Sequence, residues 1–317
     1  MLDNHSFQPA WGLSNPNLQT IVSSVGRKLM KPAWLDDFVQ RSERRDIHVQ
    51  GQHLTAQYDR SSQIDAALVM IIHGWLGSAD SSYVVATAHA LQRAGYHVAR
   101  LTLRDHGGTA DLNDGLFHSA MTDEVVAAAQ FIMDDFGCST AGLVGFSMGG
   151  NFALRLAKHL PQLHTLAICP AISPQHTVEQ IAGSVIYERY FMGKWQALWR
   201  QKQAAFPHLY DFSAMNQLGS IHTLTEVFIK EHTHFDDLQA YYAAYDLRGD
   251  ELDGVSATVL AAFDDPIIPA RHYDSLPDSI DVNLTKRGGH TAYIKNWRLE
   301  SWVDDYSRAF FSERLNS

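Results

Sequence analysis

Cysteine is nearly absent from this chain: among 317 residues only Cys138 and Cys169 carry a thiol. Each lies in or beside an apolar run, and two isolated thiols make no disulfide framework. The fold must therefore rest on its hydrophobic core, and a reducing cytoplasm is the expected compartment. Long apolar stretches are missing too. The longest unbroken one, Ala66 to Ile72, falls far short of the ~20 residues that a helical membrane span requires, and Met1 to Ser6 contain no apolar signal core. No stable membrane insertion is expected. Positive charge is also scarce, because 25 Lys and Arg stand against 35 Asp and Glu and leave a net charge of −10. Such a balance excludes a nucleic-acid backbone as a natural partner. The local exception is Arg27, Lys28, Lys31, Arg41, Arg44 and Arg45, read as a solvated surface. Internal repeats and low-complexity tracts are not seen, and nothing in the sequence sets an oligomeric state.

What is present is a chain 45% hydrophobic, long enough to bury a large core. Residues 1–44 show weak periodicity around Trp11, Leu18, Ile21 and Trp34, and read as an arm packed on the surface. From Asp46 to Asp59 alternation suggests a hairpin turning at Gln50-Gly51. Strand and helix patterns then alternate. Strands are expected at Ala66–Ile72, His97–Leu103, Ala141–Phe146 and Leu163–Cys169, with helices at Tyr83–Arg93, Thr122–Phe136 and Asn151–Leu160. The alternation stops near Ile172. Residues 173–250 are aromatic-rich and helical in pattern, and the alternation resumes with strands at Ser256–Phe263 and Val282–Thr285, a short helical segment at Arg271–Leu276 between them, and a last helix from Asn296 to about Phe311. The expected architecture is α/β: a mostly parallel sheet with helices on both faces. It forms a single domain with the arm at 1–44, a core at 45–172 and 251–317, and a lid insertion at 173–250.

Ala141 to Phe152 carry the strongest chemical signal. An apolar run enters Gly145-Phe-Ser147-Met-Gly149 and leaves on a helical pattern, the order a nucleophile elbow needs. Serine attacks only when a base takes its proton and a carboxylate orients that base. Downstream, Asp264-Asp265-Pro-Ile-Ile-Pro269 follows a strand, and Gly288-Gly-His290 precedes the last helix. The order Ser147, Asp265, His290 gives nucleophile, acid and base, with Asp265 preferred to Asp264 because it directly precedes the proline-bounded apolar run. The strand end Ile168-Cys-Pro-Ala-Ile-Ser173 offers no competing acid. For the oxyanion, the candidate donors are the backbone N–H groups of Met148 and of Trp75, the latter in His73-Gly74-Trp75-Leu76-Gly77. The indole of Trp75 is expected to wall an acyl pocket.

Two weaker patterns compete. His232-Thr-His234-Phe-Asp236-Asp237 has a metal-like spacing but lacks further ligands, and reads as a solvated helix entry. His106-Gly-Gly-Thr-Ala-Asp111 matches a His-x₄-Asp pattern of acyl transfer to an alcohol, although Gly107-Gly108 more simply marks a tight loop. No metal and no organic cofactor is called for.

With these residues placed, residues 50–317 resemble the α/β-hydrolase superfamily and, more narrowly, the YheT/EMB8-like group related to the ABHD1–ABHD3 proteins. The resemblance is carried by Asn15-Pro-Asn-Leu-Gln-Thr20, His73-Gly74, Gly145-Phe-Ser-Met-Gly-Gly-Asn151, Phe235-Asp236-Asp237, Asp264-Asp265-Pro266 and Gly288-Gly-His290. The group usually has a histidine where Asn17 stands here. The resemblance implies a carboxylesterase-type serine hydrolase without fixing its natural substrate; the many Tyr, Trp and Phe residues of 173–250 point to a small ester with an apolar acyl chain as the partner. The resemblance also implies that Phe-Asp-Asp is scaffold rather than a metal site. An acyltransferase and a non-catalytic ligand-binding module on the same fold are the alternatives.

Overall fold

In a computed structural model the described residues run from 7 to 315; the polar start at 1–6 lies outside them. Eight strands form one sheet in the order β1-β2-β4-β3-β5-β6-β7-β8. The strands are β1 (Glu43–Val49), β2 (Gln52–Asp59), β3 (Leu68–Ile72), β4 (His97–Thr102), β5 (Ala141–Phe146), β6 (Leu163–Ile168), β7 (Ala257–Ala262) and β8 (Ile280–Thr285). β1 and β2 form the expected hairpin, with Gln50 at φ 49° and Gly51 at φ 73°. Left-handed backbone at both central residues matches the twist of paired strands. β2 also runs antiparallel to β4, and every pair from β4 to β8 is parallel.

Parallel strands need crossovers, and the helical stripes supply them. Thr122–Phe136 is a helix as expected, closed by Gly137 at φ 66°, where the absence of a side chain makes the left-handed cap cheap. β3, β4 and β5 are each fully buried along their length, and β6 is buried at all but His164, which explains why they read as continuous apolar runs rather than alternations. Between β6 and β7 the chain inserts the helices Pro174–Ala182, Val185–Ala205, Ile221–His232 and Leu238–Ala243. The core is closed around Trp199, Phe212, Phe228 and Leu252 on this side, and around Phe146, Phe152 and Phe311 against the sheet.

Three expectations are corrected. The last helix begins at Trp302, not Asn296. Asn296 folds its own segment into a turn by accepting from the N–H groups of Arg298 and Glu300, and Ser301 caps the helix by accepting from Val303. The arm is more than a surface strap: Leu13, Gln19 and Phe38 are buried in it. Arg27 leaves the solvated basic surface to which it was assigned. It is buried, donates from Nε to the Leu299 carbonyl at 2.9 Å, and has its pKa lowered chiefly by burial, opposed by Asp304. Lys31, Arg41 and Arg44 are exposed and Arg45 half-buried; the Lys28 side chain lies outside the description. Among the described residues no helix is long and apolar enough to cross a membrane.

Candidate active site

Because β3 to β8 run parallel, the loops leaving their C-terminal ends gather along one edge of the sheet. Ser147 follows β5 at the centre of that edge. Its φ of 55° and ψ of −116° lie outside the regions that ordinary side chains favour. The flanking glycines are what permit this turn. A Cβ on Gly145 would lie 2.2 Å from the Gly149 carbonyl oxygen, and one on Gly149 would lie 2.4 Å from the carbonyl oxygens of both Ile72 and His73. Directly after Ser147 the helix Met148–His159 begins, so its N-terminal N–H groups and dipole face the hydroxyl. Asn151, the last residue of the elbow motif, donates to the carbonyls of Ala171 and Tyr245, at the two ends of the insertion.

Acid, imidazole and hydroxyl lie in one line. The His290 ring places Nδ1 2.8 Å from Asp265 Oδ2 and Nε2 2.9 Å from Ser147 Oγ. The Asp265 side chain is fully buried, and its other oxygen accepts from the N–H groups of Ile267 and Ile268 at 2.8 and 2.9 Å. One oxygen is therefore anchored by its own loop, which leaves the other for the histidine. Asp264 points elsewhere: it accepts from the Gly289 N–H at 3.0 Å, and burial raises its pKa against the pull of the Gly289 and Gly288 amides. Cys169, Asp265 and His290 are the one set of three His, Cys, Asp or Glu residues with metal-ligand spacing among the described residues. Burial and the adjacent Asp265 push the Cys169 thiol well up, so it is a poor thiolate ligand.

The loop after β3 packs directly against the elbow. A Cβ on Gly74 would lie 3.3 Å from the Ser147 Cβ. His73 is buried; its Nε2 accepts from Leu103 at 3.1 Å, so Nδ1 carries the proton and donates to the Gly74 carbonyl at 2.7 Å. Burial, with His106 beside it, lowers the pKa of this neutral imidazole to about 3. Tyr83 accepts from the Gly74 N–H, and Lys194 of the insertion donates to the Leu76 carbonyl. The next residue, Trp75, stacks on Phe191 at 5.3 Å and meets Trp195 edge-on at 5.1 Å.

Ser147, Met148, His290 and Trp75 all line one cavity of about 1130 Å³. Its aromatic lining comes mostly from the insertion, through Phe191, Trp195, Phe228, Tyr241 and Tyr245. A second set, including Ser24, Arg27, Lys31, Asp80 and Ser82, comes from the arm and the segment after β3. The insertion is held to the core by a buried pair: Lys202 donates to Asp105 Oδ1 at 2.8 Å and also to the carbonyls of Asn113 and Gly115.

The weaker motifs go elsewhere. His106 is buried with Nδ1 on the Arg104 carbonyl, Asp111 is exposed, and neither lines the cavity. His232 packs on Phe212, His234 on Phe235, and Asp237 caps the helix Leu238–Ala243 by accepting from Ala240. Residues whose place sequence reasoning missed are Gln19 and Thr20. Thr20 Oγ1 accepts from the His290 N–H at 2.9 Å, and Gln19 Oε1 accepts from the Ile294 N–H at 3.1 Å. The available signal is the arm motif Asn15 to Thr20, which carries the family resemblance without revealing what its side chains bind.

The alpha/beta hydrolase fold signature matches residues 67–187. Over 96% of this chain and 94% of its own length, the "Putative esterase YheT" of Escherichia coli (strain K12) is 25% identical. Over this stretch the chain is similar to the α/β-hydrolases. Among solved structures, the serine hydrolase CCSP0084 from the bacterium Cycloclasticus zankles superposes with a TM-score of 0.59 at 16% identity, covering 87% of this chain and 100% of that one. The Pyrococcus furiosus esterase Pf2001 gives 0.54 at 14% identity, over 89% and 96% of the two chains. Both likenesses are likenesses of fold.

Proposed function

We propose that this chain, an esterase-type serine hydrolase, cleaves carboxylic esters of apolar acids through an acyl-enzyme. The observation that carries the reading is the pair of hydrogen bonds from one imidazole to Ser147 and to a fully buried Asp265. Ser147 Oγ attacks the ester carbon as its proton passes to His290 Nε2. Asp265 holds the imidazole in the Nδ1–H tautomer and stabilises the imidazolium. The N–H groups of Met148 and Trp75 take the charge on the carbonyl oxygen. The C–O bond breaks with the His290 proton passing to the leaving alcohol, and water repeats the sequence to free the acid and Ser147.

Residues 173–250 act as the lid of one hydrolase domain, over a core of 45–172 and 251–317 with the arm at 1–44. The aromatic lining supports an apolar acyl group as the substrate class. Two unpaired thiols fit a cytoplasmic setting. Hydrolysis is preferred to acyl transfer because His106 and Asp111 stay outside the cavity, and a non-catalytic module would have no use for an aligned acid, base and hydroxyl.

The test is labelling by a fluorophosphonate probe together with turnover of p-nitrophenyl esters. Both are expected in the native protein and absent from Ser147→Ala. Labelling unchanged in that variant would remove Ser147 from the reaction. Each methylene in an apolar pocket discriminates by about 1–3 kcal/mol at best, so kcat/KM should rise gradually from acetyl to medium-chain esters and then fall. A profile peaked at acetate would overturn the apolar acyl pocket.

A further inference from the structure

The segment that carries His290 holds several left-handed residues close together. Gly289, Thr291 and Tyr293 have φ of 57°, 58° and 45°. For a β-branched threonine and a bulky tyrosine the left-handed region is a genuine outlier, and such backbone persists only where its surroundings over-determine it. The loop itself and the start of the last helix hold part of this segment: Tyr293 donates to the Gly288 carbonyl, Trp302 to the Tyr293 carbonyl, and Ser301 to the Ala292 carbonyl.

Two further restraints come from the opposite end of the chain. Thr20 Oγ1 accepts from the His290 N–H, while its own hydroxyl proton goes to the Pro16 carbonyl at 2.8 Å. Gln19, wholly buried, accepts from the Ile294 N–H. These bonds bracket the strained residues Thr291 and Tyr293. The fit is close, since a Cβ on Gly289 would lie 2.9 Å from both Thr20 Oγ1 and the Pro16 carbonyl oxygen. The rest of the arm motif builds the short helix that aims these two side chains. Asn15 caps it by accepting from Leu18 at 3.1 Å, and Pro16 starts it without needing a donor. Asn17, on the same turn, accepts from the Tyr187 hydroxyl of the insertion at 2.8 Å.

We propose that Thr20 and Gln19 are positioning residues for the base: the arm motif is a brace that fixes His290 between Ser147 and Asp265. The inference rests on the reading of His290 as the base. A brace acts on geometry, so its removal lowers the rate of the chemical step and leaves substrate binding largely alone.

The experiment compares Thr20→Val, which keeps the shape and removes the acceptor, with Thr20→Ser, which keeps the oxygen. On p-nitrophenyl butyrate, kcat should fall about 10²-fold in Thr20→Val, the scale of loss that a displacement near 1 Å produces. KM should stay near the native value, and fluorophosphonate labelling should slow in step with kcat. Thr20→Ser should recover most of the rate. A readout independent of turnover is the low-field proton resonance of the His290–Asp265 hydrogen bond, identified by its loss in His290→Ala. It should be present in native protein and Thr20→Ser, and shifted or lost in Thr20→Val. Native kcat with an unmoved resonance in Thr20→Val would overturn the brace, as would equal losses in both variants or a loss confined to KM. Should Thr20→Val fail to fold, Gln19→Met is read by the same criteria. If native protein neither labels nor turns over, the esterase reading falls, and the resonance alone still decides the brace.

Discussion

Ser147 and His290 meet at 2.9 Å, yet the two segments that deliver them are built in opposite ways. The elbow is local. Its strained serine is permitted by Gly145 and Gly149, both within two residues, and the strand and helix on either side are continuous with it. The histidine loop is assembled from afar. Its acid comes from the end of β7, 25 residues away, and the acceptor for its own N–H comes from Thr20, 270 residues away. Strain can thus be housed either by removing side chains or by surrounding the backbone with partners. The first solution leaves a motif in the sequence; the second leaves only scattered polar residues.

The sharpest way to break the comparison is at the remote acid. Asp265→Asn leaves the imidazole in the wrong tautomer, which costs about 10⁴ in rate in a serine protease, and a similar fall in kcat is expected here. Asp264→Asn should cost far less, because Asp264 holds the Gly289 N–H and not the ring. Measuring kcat for both folded variants checks this, and the reverse order would move the orienting acid to Asp264.

On the local side, Gly149→Ala forces a methyl group against two carbonyl oxygens at 2.4 Å. Overpacking of this kind costs about 1–3 kcal/mol and occasionally more. A clear drop in denaturant midpoint should accompany loss of probe labelling, since the turn itself must shift. A stable, fully labelled Gly149→Ala would show that the elbow does not depend on that close approach.

Acid separates the two segments more gently. His73, behind the elbow, titrates near 6.5 in an unfolded chain but at about 3 when folded. The unfolded state therefore binds more protons between those values, and stability is full above pH 7 and lost as pH falls through 6.5 towards 3. From pH 7 to 5 this one group accounts for about 2 kcal/mol. Buried His106, lowered to about 4, acts in the same sense. Denaturant midpoints across this range should fall with pH; a flat profile would mean that neither imidazole is held neutral.

The same contrast explains what could be read from the sequence. β5 and the helix Thr122–Phe136 match their expected limits, since a buried apolar run and an amphipathic stripe bounded by glycine are local patterns. Ser147, Asp265 and His290 were legible as candidates from chain order and loop position, and the structure brings them into line. The role of the arm was not legible, because nothing near Gln19 or Thr20 announces a partner so distant in sequence. The burial of Arg27 against Leu299 was hidden for the same reason. Asn296 looked like the start of a helix because its apolar neighbours have helical spacing, but its side chain turns the backbone back on itself before the helix can begin.

The Asn151 side chain reaches the carbonyls of Ala171 and Tyr245 together, and Leu247 donates to the Ile172 carbonyl at 2.9 Å. The chain therefore leaves the sheet and returns to it through a single closed stem, stapled from beneath by the helix that begins at Ser147. An excursion sealed at its neck can lengthen, shorten or change its lining without pulling on β6 or β7. In this architecture the aromatic lining of the insertion can change while its neck stays in place, with the ties of Lys202 to Asp105 and of Phe191 and Trp195 to Trp75 as the contacts that any replacement must keep.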